Sequence, residues 1–144
     1  MKKILLVFGI MIFLLQPVFG ANWIQVDKKR YFDTASLANF NNVFGYFNGR
    51  YSFWEKVLND KSTLFINAEK IAGKKIWYSL QNIVIDCNNK QVALRSYIIY
   101  DLSGNVIHSE DFQDMLLQWY NIAPETIGDT YYNWICIPSR SNYF

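Results

Sequence analysis

The chain has 144 residues, of which 51% are hydrophobic and 18% aromatic, and it carries 14 Lys and Arg against 12 Asp and Glu. This length suits one ordinary domain and is too short for two. Loss of Lys2 and Lys3 with the leader described below brings the basic and acidic counts level. The domain is then neutral, and its basic runs, at 28–30 and 74–75, are short. Nucleic-acid-binding proteins usually carry a basic stripe that neutralises phosphates, so the sequence argues against this class.

Residues 1–20 have the pattern of a secretory signal peptide. Two lysines precede an apolar run from Ile4 to Leu15, and small residues end the segment at Gly20. The run is shorter than the roughly 20 residues that cross a bilayer, which disfavours the alternative of a retained membrane anchor. We expect cleavage after Gly20, one domain over residues 21–144, and a location in the periplasm, at the cell surface or outside the cell. No Cys lies near the cleavage site, so we expect no lipid anchor.

An apolar stretch after the leader predicts a first hairpin. Trp23 to Val26 form one short strand, and Tyr31 and Phe32 return after a charged turn. The next segment, 33–42, contains Asp, Ser and several Asn, whose side chains bond to nearby backbone groups. We interpret it as a loop or a single helical turn.

The Asn-Gly dipeptide at 48–49 predicts a second hairpin, because it favours the positive φ angles of a type I′ turn. A two-residue loop there would place Tyr46 opposite Tyr51 on one face, with Arg50 and Trp54 on the other. Both faces would be rich in aromatic side chains, and one of them must pack on the core. The other is either covered within the domain or exposed to a partner. The candidate partner-binding residues are therefore Tyr46, Arg50, Tyr51 and Trp54.

Helical and strand periods alternate in the middle of the chain. Apolar residues recur at helical spacing from Ser62 to Ala72, and Gly73 is placed to end that helix. The segments from Lys75 to Cys87 and from Gln91 to Tyr100 are rich in β-prone residues, and a third such run begins at Val106. Turn residues separate the three runs, so we predict an antiparallel meander as the centre of the sheet.

The C-terminal part predicts one further helix. Residues 109–121 are ambiguous: Met115, Leu116, Leu117 and Trp119 could belong to a short helix or to a strand along the edge, and we interpret the segment as a loop. Pro124 and Glu125 fit the first turn of a helix. An apolar stripe follows on that helix, formed by Ile127, Tyr131, Trp134 and Ile135. The fold class is therefore α+β: a single, mainly antiparallel sheet of about six or seven strands with one short mid-chain helix and a C-terminal helix.

Cys87 and Cys136 are the two cysteines of the sequence. In an oxidising compartment the expected state is a disulfide, which would tie the C-terminal helix to the sheet. A redox or catalytic thiol is the alternative, and it would need a neighbouring cysteine or a positioned base. The single histidine, His108, is predicted on the far strand of the meander.

The titratable residues form no recognisable catalytic or metal-binding pattern. His108, Ser109 and Glu110 are consecutive, but alternation along a strand sends neighbouring side chains to opposite faces. Glu110, Asp111 and Asp114 have no fixed spacing to a further ligand. The sequence contains no phosphate-binding glycine loop, zinc spacing or nucleophile elbow. We therefore predict that the protein is not an enzyme and uses no cofactor or metal.

Several short motifs follow one another through almost the whole mature chain. They comprise Trp23, Asp33, Ser36, Leu37, Trp54, Lys56, Asp86, Cys87, Tyr100, Asp101, Gly104, Trp119, Ile122, Pro124 and Cys136. In this order they resemble the surface-adhesin protein E family of small exported bacterial domains. The resemblance implies an antiparallel sheet with a C-terminal helix held by the disulfide. It also implies an adhesin, since the best-known member of the family binds host matrix proteins such as vitronectin and laminin.

The sequence thus favours an exported protein-binding module. Its aromatic residues are too plentiful to bury easily in a domain of this size, and Tyr and Trp dominate protein interfaces. The expected partner is a host matrix protein or a protein of the bacterial envelope, and a homodimer is compatible with the pattern. Two alternatives stay open: a periplasmic structural or accessory protein, and a binder of a small hydrophobic ligand such as heme.

Overall fold

The computed structural model describes residues 20–42, 45–59 and 61–137, which form one sheet and two α-helices. The described strands are Trp23–Gln25 (β1), Arg30–Asp33 (β2), Ala38–Asn42 (β3), Gly45–Leu58 (β4), Ile76–Asp86 (β5), Gln91–Asp101 (β6), Val106–Asp111 (β7) and Tyr120–Asn121 (β8). The helices are Thr63–Ala72 (α1) and Ile127–Cys136 (α2), and short 3-10 helices occupy Thr34–Ser36 and Asp114–Leu116. The predicted α+β class is confirmed. The predicted signal peptide, apart from Gly20, lies outside the described residues.

Every described strand pairing is antiparallel, and the order across the sheet is β1-β2-β4-β5-β6-β7. β2 and β3 share one edge of β4, each pairing with a different part of it. β7 and β8 share one edge of β6 in the same way. The predicted meander is confirmed, because β5, β6 and β7 are neighbours in chain order. Within the described ranges, no helix has the length and apolar character needed to cross a membrane.

The predicted hairpin turn at 48–49 is wrong. β4 continues through both residues as one strand, and the chain reverses between Asn42 and Gly45, which are paired. Tyr46 and Tyr51 are therefore not cross-strand partners, since each pairs with an asparagine of β3. The segment 33–42, predicted as a loop or a single helical turn, contains such a turn in the 3-10 helix Thr34–Ser36, and the strand β3 follows it.

Gly49 has a positive φ of 85°, as the dipeptide indicates, but it adopts this angle within a strand. This φ favours glycine, and a Cβ atom here would lie 2.8 Å from Nδ2 of Asn88, so the Asn88 side chain would have to move to admit any other residue. The N–H of Cys87 also donates to the Gly49 carbonyl oxygen over 2.8 Å. The dipeptide thus serves a contact with the turn after β5.

The two faces of the sheet have different neighbours. On one face, Phe32, Phe53, Ile83 and Ile85 form a core with Tyr131 of α2. Farther along the strands, Val57, Ile76 and Ile99 of that face form a second core with Phe65 of α1. Both helices therefore pack on the same side, which we call the covered face.

The opposite side of the sheet is covered at one end, where Phe40 and Leu117 pack over Val84 and Ala93. The rest of this side carries half-buried side chains, and we call this surface the open face. It comprises Trp23, Tyr31, Trp54, Lys56, Leu58, Tyr78, Leu80, Ile98 and Tyr100. The described part of the chain thus forms a two-layer domain with one apolar surface exposed.

Helix α2 begins at Ile127, not at Pro124 as predicted. Glu125 has a φ of +61°, which ends any helical run through it, and the Thr126 hydroxyl oxygen caps the helix by accepting the N–H of Asp129 at 3.3 Å. The predicted apolar stripe is confirmed, since Tyr131 is buried and the other three residues pack against the same core. Helix α1 ends at Ala72 as predicted, with Gly73 in the left-handed conformation after it, and it begins at Thr63, one residue later than predicted, with Ser62 as its N-cap.

The predicted disulfide is present. Cys87, directly after β5, is bonded to Cys136 at the end of α2, with 5.4 Å between the two Cα atoms. The residues are 49 apart in sequence. In the chain-entropy model, closing a loop of this length stabilises the fold by about 4 kcal/mol.

A buried carboxylate connects β2, β4 and α2. Glu55 is 2% exposed, and it accepts hydrogen bonds from Arg30 Nη1 at 3.1 and 3.2 Å and from the Tyr131 hydroxyl at 2.5 Å. Burial, followed by the neighbouring Glu55, raises the pKa of Tyr131 far above its usual value, so its hydroxyl stays a neutral donor. A buried charge is tolerated when it is paired and hydrogen-bonded in this way.

Reduction of the disulfide is expected to lower the free energy of unfolding by roughly 2–4 kcal/mol, because the unfolded chain regains conformational freedom. Denaturant unfolding with and without a reductant measures the loss, and the Cys87→Ser/Cys136→Ser double variant, which should not respond to the reductant, is the control. Thiol labelling of the unreduced, denatured protein should find no free thiol. Labelling of both cysteines would contradict the bond.

Tyr131→Phe is expected to lower the free energy of unfolding by about 1–2 kcal/mol, because the buried Glu55 carboxylate loses a donor. Urea unfolding measures the change. Tyr132→Phe is the matched control, since its hydroxyl is only partly buried and lies 3.4 Å from the Cys87 carbonyl oxygen. Equal losses in the two variants would show that the Glu55 contact contributes nothing specific.

Candidate functional site

The open face holds a lysine between aromatic rings. Lys56 Nζ lies 4.7 Å from the ring centroid of Tyr78 and 5.6 Å from that of Trp23. Tyr78 stacks on Tyr100 with 4.7 Å between centroids, and Trp77 meets Tyr78 edge-on at 5.1 Å. Cation–π and aromatic contacts of these distances hold the side chains in defined orientations. Burial of its ring, with Tyr100 beside it, raises the pKa of Tyr78, so its hydroxyl stays neutral.

Two shallow depressions flank this group. One, of about 270 Å³, is lined by Trp23, Tyr31, Lys56 and Leu58. The other, of about 510 Å³, lies across β4, β6 and β7 and is lined by Trp54, Ser96, Tyr97, Ile98, Ser109, Glu110 and Asp111. Trp77, which contacts Tyr78, is 49% exposed. Small-molecule sites are usually enclosed, whereas these depressions are open. The surface therefore suits a protein partner, to which it offers apolar area and hydrogen-bonding groups.

The structure separates the four residues selected from the sequence. Trp54 lies on the open face, as one wall of the larger depression. Tyr51 points to the covered face and packs against the core under α2. Arg50 is on the same side of β4 as Trp54 but belongs to the covered end of that side, as described next. The side chain of Tyr46 is outside the described part, so its role stays a prediction.

Arg50 is held by Asp86 and Trp119. Its Nε donates to Asp86 Oδ2 over 2.6 Å, and its guanidinium carbon lies 4.7 Å from the Trp119 ring centroid. Asp86 is 1% exposed and also accepts the backbone N–H of Asn89 at 3.0 Å. Burial alone would raise the pKa of Asp86, but the hydrogen bonds from Arg50 and Asn89 outweigh it and hold this pKa below its usual value. These contacts give Arg50 a structural role at the start of the β4–β5 pairing.

Sequence reasoning did not select Lys56, Tyr78 and Tyr100 as binding residues, although Lys56 and Tyr100 belong to the motifs shared with the family. The signal that could have found them is the two-residue alternation along β4, β5 and β6, which places Trp54 and Lys56 on one face. Tyr78 and Tyr100 are direct cross-strand partners. Such pairs can be identified only when the register between strands is known, and alternation within one strand does not give that register.

His108 takes part in a hydrogen-bonded row on the covered side. Its Nε2 lies 3.1 Å from the Tyr97 hydroxyl, which donates to Glu110 Oε2 over 2.9 Å. Ser109 pairs with Ile98 and faces the opposite side, so the three consecutive residues do not form a triad. No group of three or more His, Cys, Asp or Glu in the described ranges is arranged to hold a metal ion.

Comparisons with known proteins agree with this architecture. The model of a family described as surface-adhesin protein E matches residues 23–137. Two similar solved structures are of Haemophilus influenzae protein E, each with a TM-score of 0.53 and 17% identity; one, crystal form II, covers 85% of this chain and 94% of its own, and the other 90% and 96%. Protein E from non-typeable H. influenzae aligns with a TM-score of 0.50 and 17% identity over 85% and 81%. At this identity the solved structures show the fold. No curated protein matches significantly.

Asp86→Asn is expected to reduce the acid sensitivity of the fold. Because the pKa of Asp86 is depressed in the folded state, its carboxylate stabilises the fold above the unfolded value of about 3.9 and loses this effect as the pH falls through the lower folded value. Urea unfolding from pH 7 to pH 2 should show the variant less stable than wild type at pH 7 and less changed by acid. Asp111→Asn, at an exposed position, is the control. Identical pH profiles for wild type and Asp86→Asn would contradict the assignment.

Proposed function

Because the chain belongs to the surface-adhesin protein E family, we propose that it is an exported module that binds other proteins and does not catalyse a reaction. The partner is a host matrix protein or a protein of the bacterial envelope. The location that follows is the periplasm or the cell surface. Secretion suits a small domain whose last helix is fastened by a disulfide.

The observation that carries this proposal is the open face. Trp23, Trp54, Tyr78 and Tyr100 are half-buried on a sheet that is braced by helices on its other side. Side chains already held by neighbouring rings lose little freedom on binding, so more of their contact energy is available for affinity. Trp and Tyr are also the residues most often found at the centres of protein interfaces.

Lys56 adds a charge preference to this surface. It lies over the rings of Tyr78 and Trp23, and among the described residues it forms no ion pair. A carboxylate of the partner would meet a cation that the rings already orient. The surface therefore suits a partner that combines apolar or aromatic side chains with an acidic group.

The two aromatic residues of β4 test this proposal, because they lie on opposite faces of one strand. Trp54→Ser is expected to weaken partner binding by roughly tenfold or more, as a loss at an interface centre does. Tyr51→Ser is expected to lower the free energy of unfolding by about 2 kcal/mol, because it removes a ring from the core under α2, and to leave binding unchanged.

Binding is measured with the purified exported protein against envelope extract and against immobilised vitronectin and laminin, and unfolding is measured in urea. Sedimentation of the same samples reports whether Trp54 supports self-association instead. Two results together would contradict a role for the open face. The first is that wild type and Trp54→Ser retain the partner equally, and the second is that Trp54→Ser and Tyr51→Ser lose equal stability.

A further inference from the structure

Strand β7 forms one border of the sheet and, among the described strands, pairs with β6 alone. The N–H of Phe112, directly after β7, donates to the carbonyl oxygen of Arg95 over 2.8 Å. In an antiparallel pair, residues bonded to the neighbour alternate with residues whose backbone groups point away. Ser109 and Asp111 therefore direct their N–H and C=O groups outward. The opposite border, β1, has three residues, whereas β7 has six.

An apolar cleft lies beside β7 on the covered side, between that strand and α1. It has a volume of about 230 Å³ and is lined by Asn67, Ala68, Ile71, Ala72, Tyr97, Ile99, Ile107 and His108. Ile71 is 87% exposed, although it borders this apolar space. The cleft can therefore accept a branched aliphatic side chain, which would also cover Ile71.

The larger depression of the open face lies on the other side of the same strand, with Ser109 and Asp111 among its walls. Side chains alternate between the two faces of a strand. A strand added to β7 would therefore send successive side chains into the apolar cleft and into this depression. In complexes formed by strand addition, the backbone bonds supply affinity and such pockets select the side chains.

Two carboxylates set the charge that this border prefers. Glu110 and Asp111 are exposed, and neither forms an ion pair with a Lys or Arg of the described ranges. Glu110 is fixed by the hydroxyl of Tyr97 at 2.9 Å. Asp111 points to the open side, so lysine or arginine at alternate positions of an added strand would meet it there. Glu110 points to the covered side and lies beside Tyr97, which lines the cleft.

We propose that β7 binds an extended segment of a partner protein as an additional strand, with aliphatic residues for the cleft beside α1 and basic residues beside Asp111 on the open side. This inference rests on the proposed function, since it assumes a protein-binding domain. Strand addition shares with the open face the depression walled by Trp54, but its defining contacts are the outward backbone groups of β7 and the cleft beside α1, which Ser109→Pro and Ile71→Asp alter. The two can therefore be tested separately.

The probe is a fluorescein-labelled peptide, Thr-Ile-Lys-Val-Lys-Ile, whose binding to the purified, disulfide-bonded protein is followed by fluorescence anisotropy. Saturable binding is expected, weakened by roughly tenfold or more in Ser109→Pro, which removes an outward N–H at a border position where proline is tolerated. Ile71→Asp, which puts a charge beside the cleft, should weaken it similarly. Circular dichroism and urea unfolding establish that both variants fold.

Two matched variants serve as controls. Ser109→Ala keeps the backbone N–H, and Ile66→Asp changes an exposed isoleucine of α1 that does not line the cleft. Both should bind the peptide as wild type does. A peptide with glutamates in place of the lysines, and one N-methylated at alternate backbone nitrogens, should each bind at least roughly tenfold more weakly.

Absence of peptide binding, or equal binding by the N-methylated peptide, would overturn strand addition. Self-association that Ser109→Pro abolishes, without peptide binding, would mean that β7 receives a second copy of the chain, and this also overturns the proposal. If the peptide tests fail but Trp54→Ser still weakens the capture of whole proteins, strand addition is overturned and the proposed function stands. If the peptide binds and the variants weaken binding as expected, but Trp54→Ser does not change the capture of proteins, only the role of the open face is overturned.

Discussion

Both helices cover the same face of a single sheet, and this one-sided cover determines how the rest of the molecule is arranged. Alternation along β4 decides the role of each of its side chains. Phe53 and Val57 enter the two cores under the helices, whereas Trp54 and Lys56 stay on the opposite side. One strand therefore supplies both the centre of the interior and the candidate binding surface. A further layer of structure on the open face would have buried that candidate binding surface.

A charge inside the covered face restricts how its layers can pack. Apolar side chains tolerate small shifts against one another, but the carboxylate of Glu55 must keep its donors, because an unpaired buried charge is very costly. Arg30 reaches it from β2 and Tyr131 from α2. Strand β2 and helix α2 are thereby placed relative to β4 by directional bonds, and the disulfide at the end of α2 acts in the same sense.

Local signals predicted the meander and both helices, because alternation, helical spacing and turn residues are properties of short segments. The route of β3 and β4 depended on distant residues. The dipeptide at 48–49 has the local signature of a turn, yet the hydrogen bond from the Cys87 N–H to Gly49 and the pairing of Arg50 with β5 keep it within a strand. Alternation likewise placed Tyr51 and Trp54 on opposite faces, but which face the helices cover is a long-range property. For that reason Tyr78 could not be selected from the sequence.

The position of α2 at the end of the described chain has a consequence for incomplete molecules. A polypeptide is made from its N-terminus, so β2 and β4, with Phe32, Phe53 and Glu55, exist before the helix that covers them. A product that stops before residue 127 would lack Tyr131 and Cys136 and would expose an apolar surface with a charge at its centre. Such a product would be open to proteolysis, whereas the chain with α2 in place hides that surface. Loss of α2 would thus lower the amount of the protein, although the open face lies on the other side of the sheet.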